Sequence, residues 1–165
     1  MQDNVLSIFL LTLLPVLFPS LANIIITGLE KPAIETSLYS VKALFEINVY
    51  AVMEMNNAFL PLLLASKGVI VNHGSMVRSL AHPFTAAYNA SKAAVSQYSN
   101  TLRIELEPLG VRVVELVSGR VATGLITVPE LSDGSVYKPL EPTLQARARE
   151  AGLLCYHKIY SSCDR

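Results

Sequence analysis

Tyr88 and Lys92 lie four residues apart in the sequence and together could transfer a proton. On a helix, residues four apart project from one face, about one turn from each other. A free tyrosine hydroxyl has a pKa of about 10 and exchanges protons slowly at neutral pH, but a nearby ammonium lowers that pKa. Tyr88 could then give a proton to a carbonyl oxygen, or take one from an alcohol, while a cofactor moves hydride.

Ser75 and Asn48 could complete such a site. The Ser75 hydroxyl could hold the same substrate oxygen and stabilise its developing charge. Asn48 could order a water or the lysine in a proton relay. Each residue also has an ordinary structural interpretation. Ser75 could be a turn residue, Asn48 a hydrogen-bonded amide in the core, and Tyr88 and Lys92 a pair on a helix surface. Chemistry is favoured because all four residues fall at positions expected to face one crevice.

Two predicted helices must position these residues. Thr36 and Ser37 are cap-type residues that open the first, which Pro61 kinks or ends. Its predicted buried stripe is Val41, Phe45, Asn48, Val52, Met55, Phe59 and Leu62. Thr85 can cap the second helix, and the segment 108–110 stops it. Its predicted stripe is Ala86, Ala90, Ala94, Tyr98, Leu102 and Leu106.

Short β-branched runs at 69–71 and 111–117 follow the two helices and predict buried strands. The alternation indicates an α/β fold with parallel strands and right-handed crossovers. In such sheets, ligands bind beyond the carboxyl ends of the strands. We therefore expect Ser75 and the segment 118–123 to face one crevice.

The first 26 residues are strongly apolar. The run Val5–Leu21 continues through residues 24–26 and is interrupted by Pro15 and Pro19, with no lysine or arginine before it. It suits either a signal-like or membrane-anchoring segment or a buried strand. Membrane association through residues 5–26 therefore stays open at this point.

Composition excludes some classes of function. Thirteen basic and thirteen acidic residues cancel, which gives the chain no electrostatic basis for binding nucleic acid. The three histidines show no ligand spacing, so no metal site is predicted. Cys155 and Cys163 are interpreted as free thiols in a reducing compartment.

Three stretches carry a resemblance to a known family: FEINVY at 45–50, IVNHGS at 70–75 and AYNASKAA at 87–94. Their order and separations resemble three successive signatures of the short-chain dehydrogenase/reductases. The segment 32–125 is most similar to the fungal 1-acyldihydroxyacetone-phosphate reductase-like members, a group also found in secondary-metabolite clusters. The resemblance implies a partial Rossmann-like, doubly wound parallel sheet.

The resemblance also implies roles. Tyr88 would be the general acid/base. Lys92 would lower its pKa and hold the nicotinamide ribose, Ser75 would orient the carbonyl, and Asn48 would complete the relay. Val121 and Thr123 match the family segment that touches the nicotinamide, although Ser-Gly replaces the usual Pro-Gly before them. The implied activity is NADP-dependent interconversion of a small-molecule carbonyl and alcohol, with NAD not excluded, in lipid or secondary-metabolite biosynthesis.

Other departures from the family limit this expectation. No Gly-x-x-x-Gly-x-Gly loop occurs in the chain, and the family's Asn-Asn-Ala-Gly is replaced near residues 23–28. We therefore expect a chain that lacks the first βαβ half and comprises an apolar leader (1–28), a catalytic core segment (29–128) and a loop-rich tail (129–165). Rival hypotheses are a non-catalytic fragment and a membrane-anchored interaction protein without cofactor. A homo-oligomer or a partner-dependent chain is expected, in the cytoplasm or at an endoplasmic-reticulum or lipid-droplet membrane.

Overall fold

The computed structural model describes residues 20–24, 27–119, 131–143 and 146. Its sheet has three strands in the order β1-β2-β3, and both neighbouring pairs are parallel. The strands are β1 (Ser20–Asn23), β2 (Val69–Ser75) and β3 (Arg112–Ser118). The predicted α/β fold with a parallel sheet is confirmed.

Helical segments connect the strands. The chain between β1 and β2 forms α1 (Leu38–Phe45), a π-helical turn (Glu46–Tyr50) and α2 (Ala51–Ser66). The chain between β2 and β3 forms α3 (Ala86–Leu106). Short 3-10 turns lie at Ala33–Glu35, Met76–Arg78, Glu107–Leu109 and Lys138–Leu140.

The ends of the first helical segment follow local chemistry. The side chain of Ser37 accepts a hydrogen bond from the backbone N–H of Ser40 at 3.2 Å, which caps α1. Pro61 lies inside α2 and does not end it, so that alternative of the sequence prediction is wrong. The helix instead ends at Ser66, where Lys67 adopts the left-handed conformation with φ of 53°.

The π-helical turn at 46–50 was not predicted from the sequence. The backbone N–H of Ala51 donates to the carbonyl of Glu46, five residues back rather than four. Such turns are rare and are frequent at functional sites. This one carries Asn48, one of the residues singled out by its chemistry, and buries it.

The predicted stripe of α2 is wrong at its far end. Val52 is buried as predicted, but Leu62 is 61% exposed, and Leu63 is buried in its place. At about 100° per residue, Leu63 lies only about 20° around the helix from Val52, whereas Leu62 lies about 80° away.

The predicted stripe of α3 is wrong at its start. Ala86 and Ala90 are exposed, whereas the buried positions of α3 are Ser91, Lys92, Val95, Ser96, Ser99 and Leu106. Steps of four residues drift by about 40° each around a helix, so an all-i+4 stripe cannot stay on one face. Serines are tolerated on the buried face because their hydroxyls find partners: Ser99 donates to the carbonyl of Val95 at 2.7 Å.

The core lies on one face of the sheet. Leu21, Ile70 and Val113 are in register on the three strands and share one cluster with Leu63 of α2 and Leu106 of α3. On the opposite face of β3, Val114 and Leu116 remain 45% and 52% exposed. Helices α2 and α3 thus cover the same face of the sheet.

The apolar N-terminal run reaches the sheet. Its residues Ser20–Asn23 form β1, which pairs along its whole length with β2, in agreement with the strand alternative for this part of the run. Most of the run lies outside the described residues. Within the part of the chain that the structure describes, no helix is long and apolar enough to cross a membrane.

Residues 131–143 contact the body of the molecule. The hydroxyl of Ser135 donates to the Glu35 carboxylate at 2.8 Å. The rings of Phe84 and Tyr137 meet edge to face, with centroids 5.4 Å apart. The backbone N–H of Lys31 donates to the Phe84 carbonyl at 2.7 Å. These contacts fix the turn that leads into α3.

The one-sided core leads to a first prediction. We expect Ile70→Ala to lower the free energy of unfolding by about 2–5 kcal/mol, because the fully buried side chain leaves a cavity. Leu116→Ala on the opposite face, where the side chain is half exposed, is the matched control and should cost far less. Urea unfolding followed by circular dichroism measures both, and equal losses would contradict the assignment of the core to one face.

Candidate active site

Ser75 is the last residue of β2, the central strand, and Ser118 is its register partner on β3. As predicted, the carboxyl ends of two parallel strands bring these serines together. The Ser75 oxygen accepts a long hydrogen bond from the Val77 N–H at 3.4 Å, and the Ser75 side chain lies close enough to the Tyr88 hydroxyl to lower its pKa. The serine and the tyrosine singled out in the sequence therefore meet at this end of the sheet.

Tyr88 lies on the first turn of α3 and is half buried. Burial raises the pKa of its hydroxyl, and the Ser75 side chain lowers it by less. The direction is opposite to the expectation that Lys92 depresses this pKa. Burial is the larger influence on this pKa, and the Lys92 nitrogen lies 5.9 Å from the centre of the Tyr88 ring, over its face.

Lys92 is the most deeply buried charged residue of the site, at 1% exposure. Its ammonium donates to the backbone carbonyl of His73 at 3.0 Å. Burial lowers the pKa of Lys92 to about 8, and the negative charge of Glu115 opposes that change. A buried lysine with such a pKa is typical of functional sites.

His73 lies beside this ammonium on β2. Burial lowers the pKa of its imidazole, and the positive charge of Lys92 lowers it further. Its Nδ1 atom is buried without a hydrogen-bond partner among the described residues. Among those residues, no cluster of histidine, cysteine, aspartate or glutamate could hold a metal ion.

The Asn48 side chain joins two elements. Its amide nitrogen donates to the Thr27 carbonyl at 3.0 Å and to the Ser91 hydroxyl at 3.1 Å, and its oxygen accepts from the Thr27 N–H at 3.3 Å. Ser91 in turn donates to the carbonyl of Tyr88 at 2.8 Å. Asn48 therefore ties the segment after β1 to the turn of α3 that carries the tyrosine.

A line of hydrogen bonds, which we call the polar seam, joins α3 to β2 and β3. Its members on α3 follow at steps of three or four residues: Lys92, Ser96, Ser99 and Arg103. Beyond the lysine, Ser96 donates to the Glu115 carboxylate at 3.1 Å. Ser99 accepts from Asn72 at 2.9 Å, and Arg103 donates to the Val113 carbonyl at 2.9 Å. The seam fixes the height of α3 over the sheet.

Sequence reasoning missed a group of three buried asparagines. The Asn23 amide nitrogen donates to the side-chain oxygens of Asn56 and Asn72, both at 2.8 Å. Asn23 ends β1, and Asn72 lies opposite it on β2. The signal that could have revealed the pair was an asparagine directly after the predicted strand at 69–71 and another near the end of the apolar run, for which a strand was one of the alternatives.

Some predicted positions cannot be placed. Val121 and Thr123, predicted to touch the nicotinamide, lie outside the described residues, as do Cys155, Cys163 and His157. Ser118 is the last residue of that segment with a described contact, a hydrogen bond from its hydroxyl to the Gly74 carbonyl at 3.4 Å.

The donor set of the site fits one end of a nicotinamide dinucleotide. A lysine ammonium and two hydroxyls at the carboxyl end of parallel strands can bind a ribose and a substrate oxygen. The pyrophosphate requires a different partner, the backbone amides of a glycine-rich loop at a helix start, and the sequence contains no such loop. The described site thus suits the reacting half of the cofactor.

An α/β fold with serine, tyrosine and lysine at the carboxyl end of its central strand defines the class of protein. The family model for short chain dehydrogenase matches residues 22–130, and the chain belongs to that family.

Particular relatives agree with this assignment. The chain is 44% identical over 115 residues to the NADPH-dependent 1-acyldihydroxyacetone phosphate reductase of Schizosaccharomyces pombe, an alignment that covers 66% of this chain and 39% of that protein. It is 43% identical over 112 residues to a short-chain dehydrogenase of Penicillium roqueforti, covering 66% of this chain and 38% of that one. The chain therefore spans well under half the length of these relatives.

Solved structures show the same fold. A short chain dehydrogenase from Burkholderia cenocepacia in complex with NADP superposes with a TM-score of 0.61 at 31% identity, covering 64% of this chain and 45% of that chain. The crystal structure of a short-chain dehydrogenase from Streptomyces avermitilis gives a TM-score of 0.60 at 30% identity, covering 64% and 40%.

The lowered pKa of Lys92 leads to a second prediction, about stability and pH. The unfolded lysine keeps its proton to about pH 10.4, whereas the folded one releases it above about 8, so the unfolded state binds more protons between these values. We therefore expect the free energy of unfolding of the wild type to rise, relative to that of Lys92→Met, as the pH is raised through this window.

Urea unfolding at several pH values measures the difference. Lys42→Met, at an exposed position of α1, controls for the loss of a lysine from the surface. A difference in free energy of unfolding between the wild type and Lys92→Met that stays constant from about pH 7.5 to about pH 10 would contradict the prediction.

Proposed function

We propose that this chain carries the proton-transfer and substrate-orienting part of an NADP-dependent oxidoreductase that interconverts a carbonyl and an alcohol. The observation that carries the proposal is the meeting of Ser75, Tyr88 and Lys92 at the carboxyl end of β2. Family membership supports the reaction class. The name of the S. pombe relative and the NADP in the B. cenocepacia structure support the choice of cofactor.

Each side chain has a role in carbonyl reduction. The Tyr88 phenol, which burial keeps protonated at neutral pH, donates its proton to the carbonyl oxygen. The Ser75 hydroxyl donates a hydrogen bond to the same oxygen and stabilises the charge that develops there. Lys92 contributes a fixed positive charge below about pH 8 and binds a ribose hydroxyl. NADPH, when bound, supplies the hydride.

Asn48 acts indirectly in this proposal, through another residue and without contacting the substrate. Both N–H donors of its amide are used on Thr27 and Ser91, so it orients the tyrosine-bearing turn of α3 through Ser91. Val121 and Thr123 are proposed to contact the nicotinamide, on the family resemblance. The proposed substrate is an acylated ketone phosphate of lipid synthesis, because the S. pombe relative is named for 1-acyldihydroxyacetone phosphate.

The direct test is loss of the tyrosine hydroxyl. We expect Tyr88→Phe to lower the rate of NADPH oxidation by 1-acyldihydroxyacetone phosphate by about 100-fold or more, since a general acid typically contributes that much. Tyr98→Phe, on the same helix with its hydroxyl 3.5 Å from the Asn56 amide, is the matched control and should retain activity. A Tyr88→Phe rate within about tenfold of the wild type would remove Tyr88 as the proton donor.

Cofactor affinity gives a separate prediction. We expect the 165-residue chain to bind NADPH with a dissociation constant weaker than about 100 µM, because the sequence offers partners for the nicotinamide ribose but no glycine loop for the pyrophosphate. Isothermal titration at near-physiological salt measures it, and NADH provides the comparison for cofactor choice.

Two outcomes of that titration would count against these expectations. A monomeric sample that binds at micromolar concentration, about −8 kcal/mol, would contradict the weak-binding prediction. No binding of NADPH even at millimolar concentration, together with no carbonyl reduction, would overturn the proposed function and favour a non-catalytic protein.

A further inference from the structure

Glu115 is a buried carboxylate that the reaction described above does not use. It lies in the middle of β3, and its side chain is only 4% exposed. Arg78, in the 3-10 turn after β2, forms an ion pair with it, and the Ser96 hydroxyl of α3 donates to the same carboxylate oxygen. Burying a carboxylate costs several kcal/mol of hydration free energy, so a buried carboxylate usually has a structural or functional role.

The backbone beside this carboxylate belongs to the active site. A Cβ atom built on Gly74 would collide with the Glu115 carboxylate, so only glycine leaves room for it there. Gly74 separates His73, whose carbonyl holds the Lys92 ammonium, from Ser75, which lies close to the Tyr88 hydroxyl. The carboxylate therefore packs directly against the stretch of β2 that holds the reacting groups.

The two oxygens of Glu115 are used unequally. One accepts from both Arg78 and Ser96. The other is buried and has no hydrogen-bond partner among the described residues. The negative charge of Glu115 also acts on Lys92, which lies one turn before Ser96 on the same face of α3.

We propose that Glu115 is a positioning residue of this site: its carboxylate, held by Arg78 and Ser96 against Gly74, is the counter-charge that keeps the buried Lys92 ammonium protonated and directed at the end of β2. The proposal rests on the proposed function for its catalytic meaning, but not for its test. If Glu115 has this role, the positive charge of Arg78, which is paired with the same carboxylate, should oppose it at the lysine.

The charged and titratable groups near Lys92 come from every element packed around it. They are His73 on β2, Glu115 on β3, Arg78 in the turn after β2 and Tyr88 on α3 itself. Burial and the charge of Lys92 lower the pKa of His73, and burial raises the pKa of Tyr88, so both stay neutral at pH 7. Among the described residues, Glu115 and Arg78 are the groups of opposite charge whose effects on the lysine the experiment below compares.

The test is a direct titration of Lys92 in the full chain by NMR. The lysine side chains are labelled with carbon-13, and the Lys92 signal is assigned by its loss in Lys92→Arg. In the wild type, the midpoint is expected at about pH 8. Glu115→Gln should move it down by about one pH unit, because the ammonium loses its counter-charge. Arg78→Gln should move it up, because the unpaired carboxylate then acts on the lysine alone.

The opposite signs separate an electrostatic role from a structural one. If the Glu115–Arg78 pair only braced the site, the two variants would loosen it alike and move the Lys92 midpoint in the same direction, or not at all, and the proposal would be overturned. Should Glu115→Gln fail to fold, Arg78→Gln decides: a higher midpoint supports the proposal, and an unchanged or lower one overturns it. Glu105→Gln, at an exposed position of α3, is the control and should leave the midpoint unchanged.

The result is independent of catalysis. If the two variants move the Lys92 midpoint in opposite directions and the chain reduces no carbonyl, the role of Glu115 is upheld and the proposed function is refuted. If the chain reduces a carbonyl in a reaction that depends on Tyr88, and neither variant moves the Lys92 midpoint, the proposed function is upheld and the role of Glu115 is refuted.

Discussion

The rest of this structure depends on holding the ammonium of Lys92 out of water. An ammonium at 1% exposure loses most of its hydration, and the fold replaces it with the His73 carbonyl at 3.0 Å and with the negative charge of Glu115. That replacement requires the end of β2 to lie at a fixed depth under α3. It also requires glycine at position 74, since a side chain there would occupy the space of the carboxylate.

Two kinds of contact, apolar and polar, attach the helices to the sheet, and they contribute in different ways. At the end where the strands begin, Leu21, Ile70 and Val113 pack with Leu63 and Leu106 in an ordinary apolar core. At the end where the strands finish, the polar seam and the asparagine group replace it. The apolar end supplies most of the burial free energy, and the polar end supplies direction, because hydrogen bonds are lost over a few tenths of an ångström or a modest change of angle.

The sequence was most informative where periodicity and motif agreed. The order of helices and of the strands that follow them, the stop at 108–110 and the meeting of Ser75 with Tyr88 could all be predicted, since each depends on neighbours along the chain or on the shared edge of a parallel sheet. The resemblance to the dehydrogenase family is confirmed as well.

The predictions that failed concern the buried faces of the helices and the surroundings that determine the pKa values of side chains. Leu62 was placed on the buried face of α2 by counting steps of three and four, and the buried face of α3 was assigned to alanines although serines occupy it. The pKa of Tyr88 was expected to fall, and it rises, because burial depends on the whole fold whereas the spacing of Tyr88 and Lys92 is local. The burial and pairing of Glu115 were not predicted, because its partners Arg78 and Ser96 are 37 and 19 residues away in the sequence.

The polar seam also limits how this fold could assemble incorrectly. A helix that meets a sheet through alanine and leucine alone can slide by one turn, about 5.4 Å, and bury nearly the same area. Here such a slip would take the Lys92 ammonium away from the His73 carbonyl and would deprive Glu115 of Ser96, Asn72 of Ser99 and Val113 of Arg103 at once. Each loss strands a buried polar group, and the losses add along the helix. The competing alignments are therefore separated from the native one by a wide energy gap, so that one register of α3 prevails without help from a more extensive apolar core.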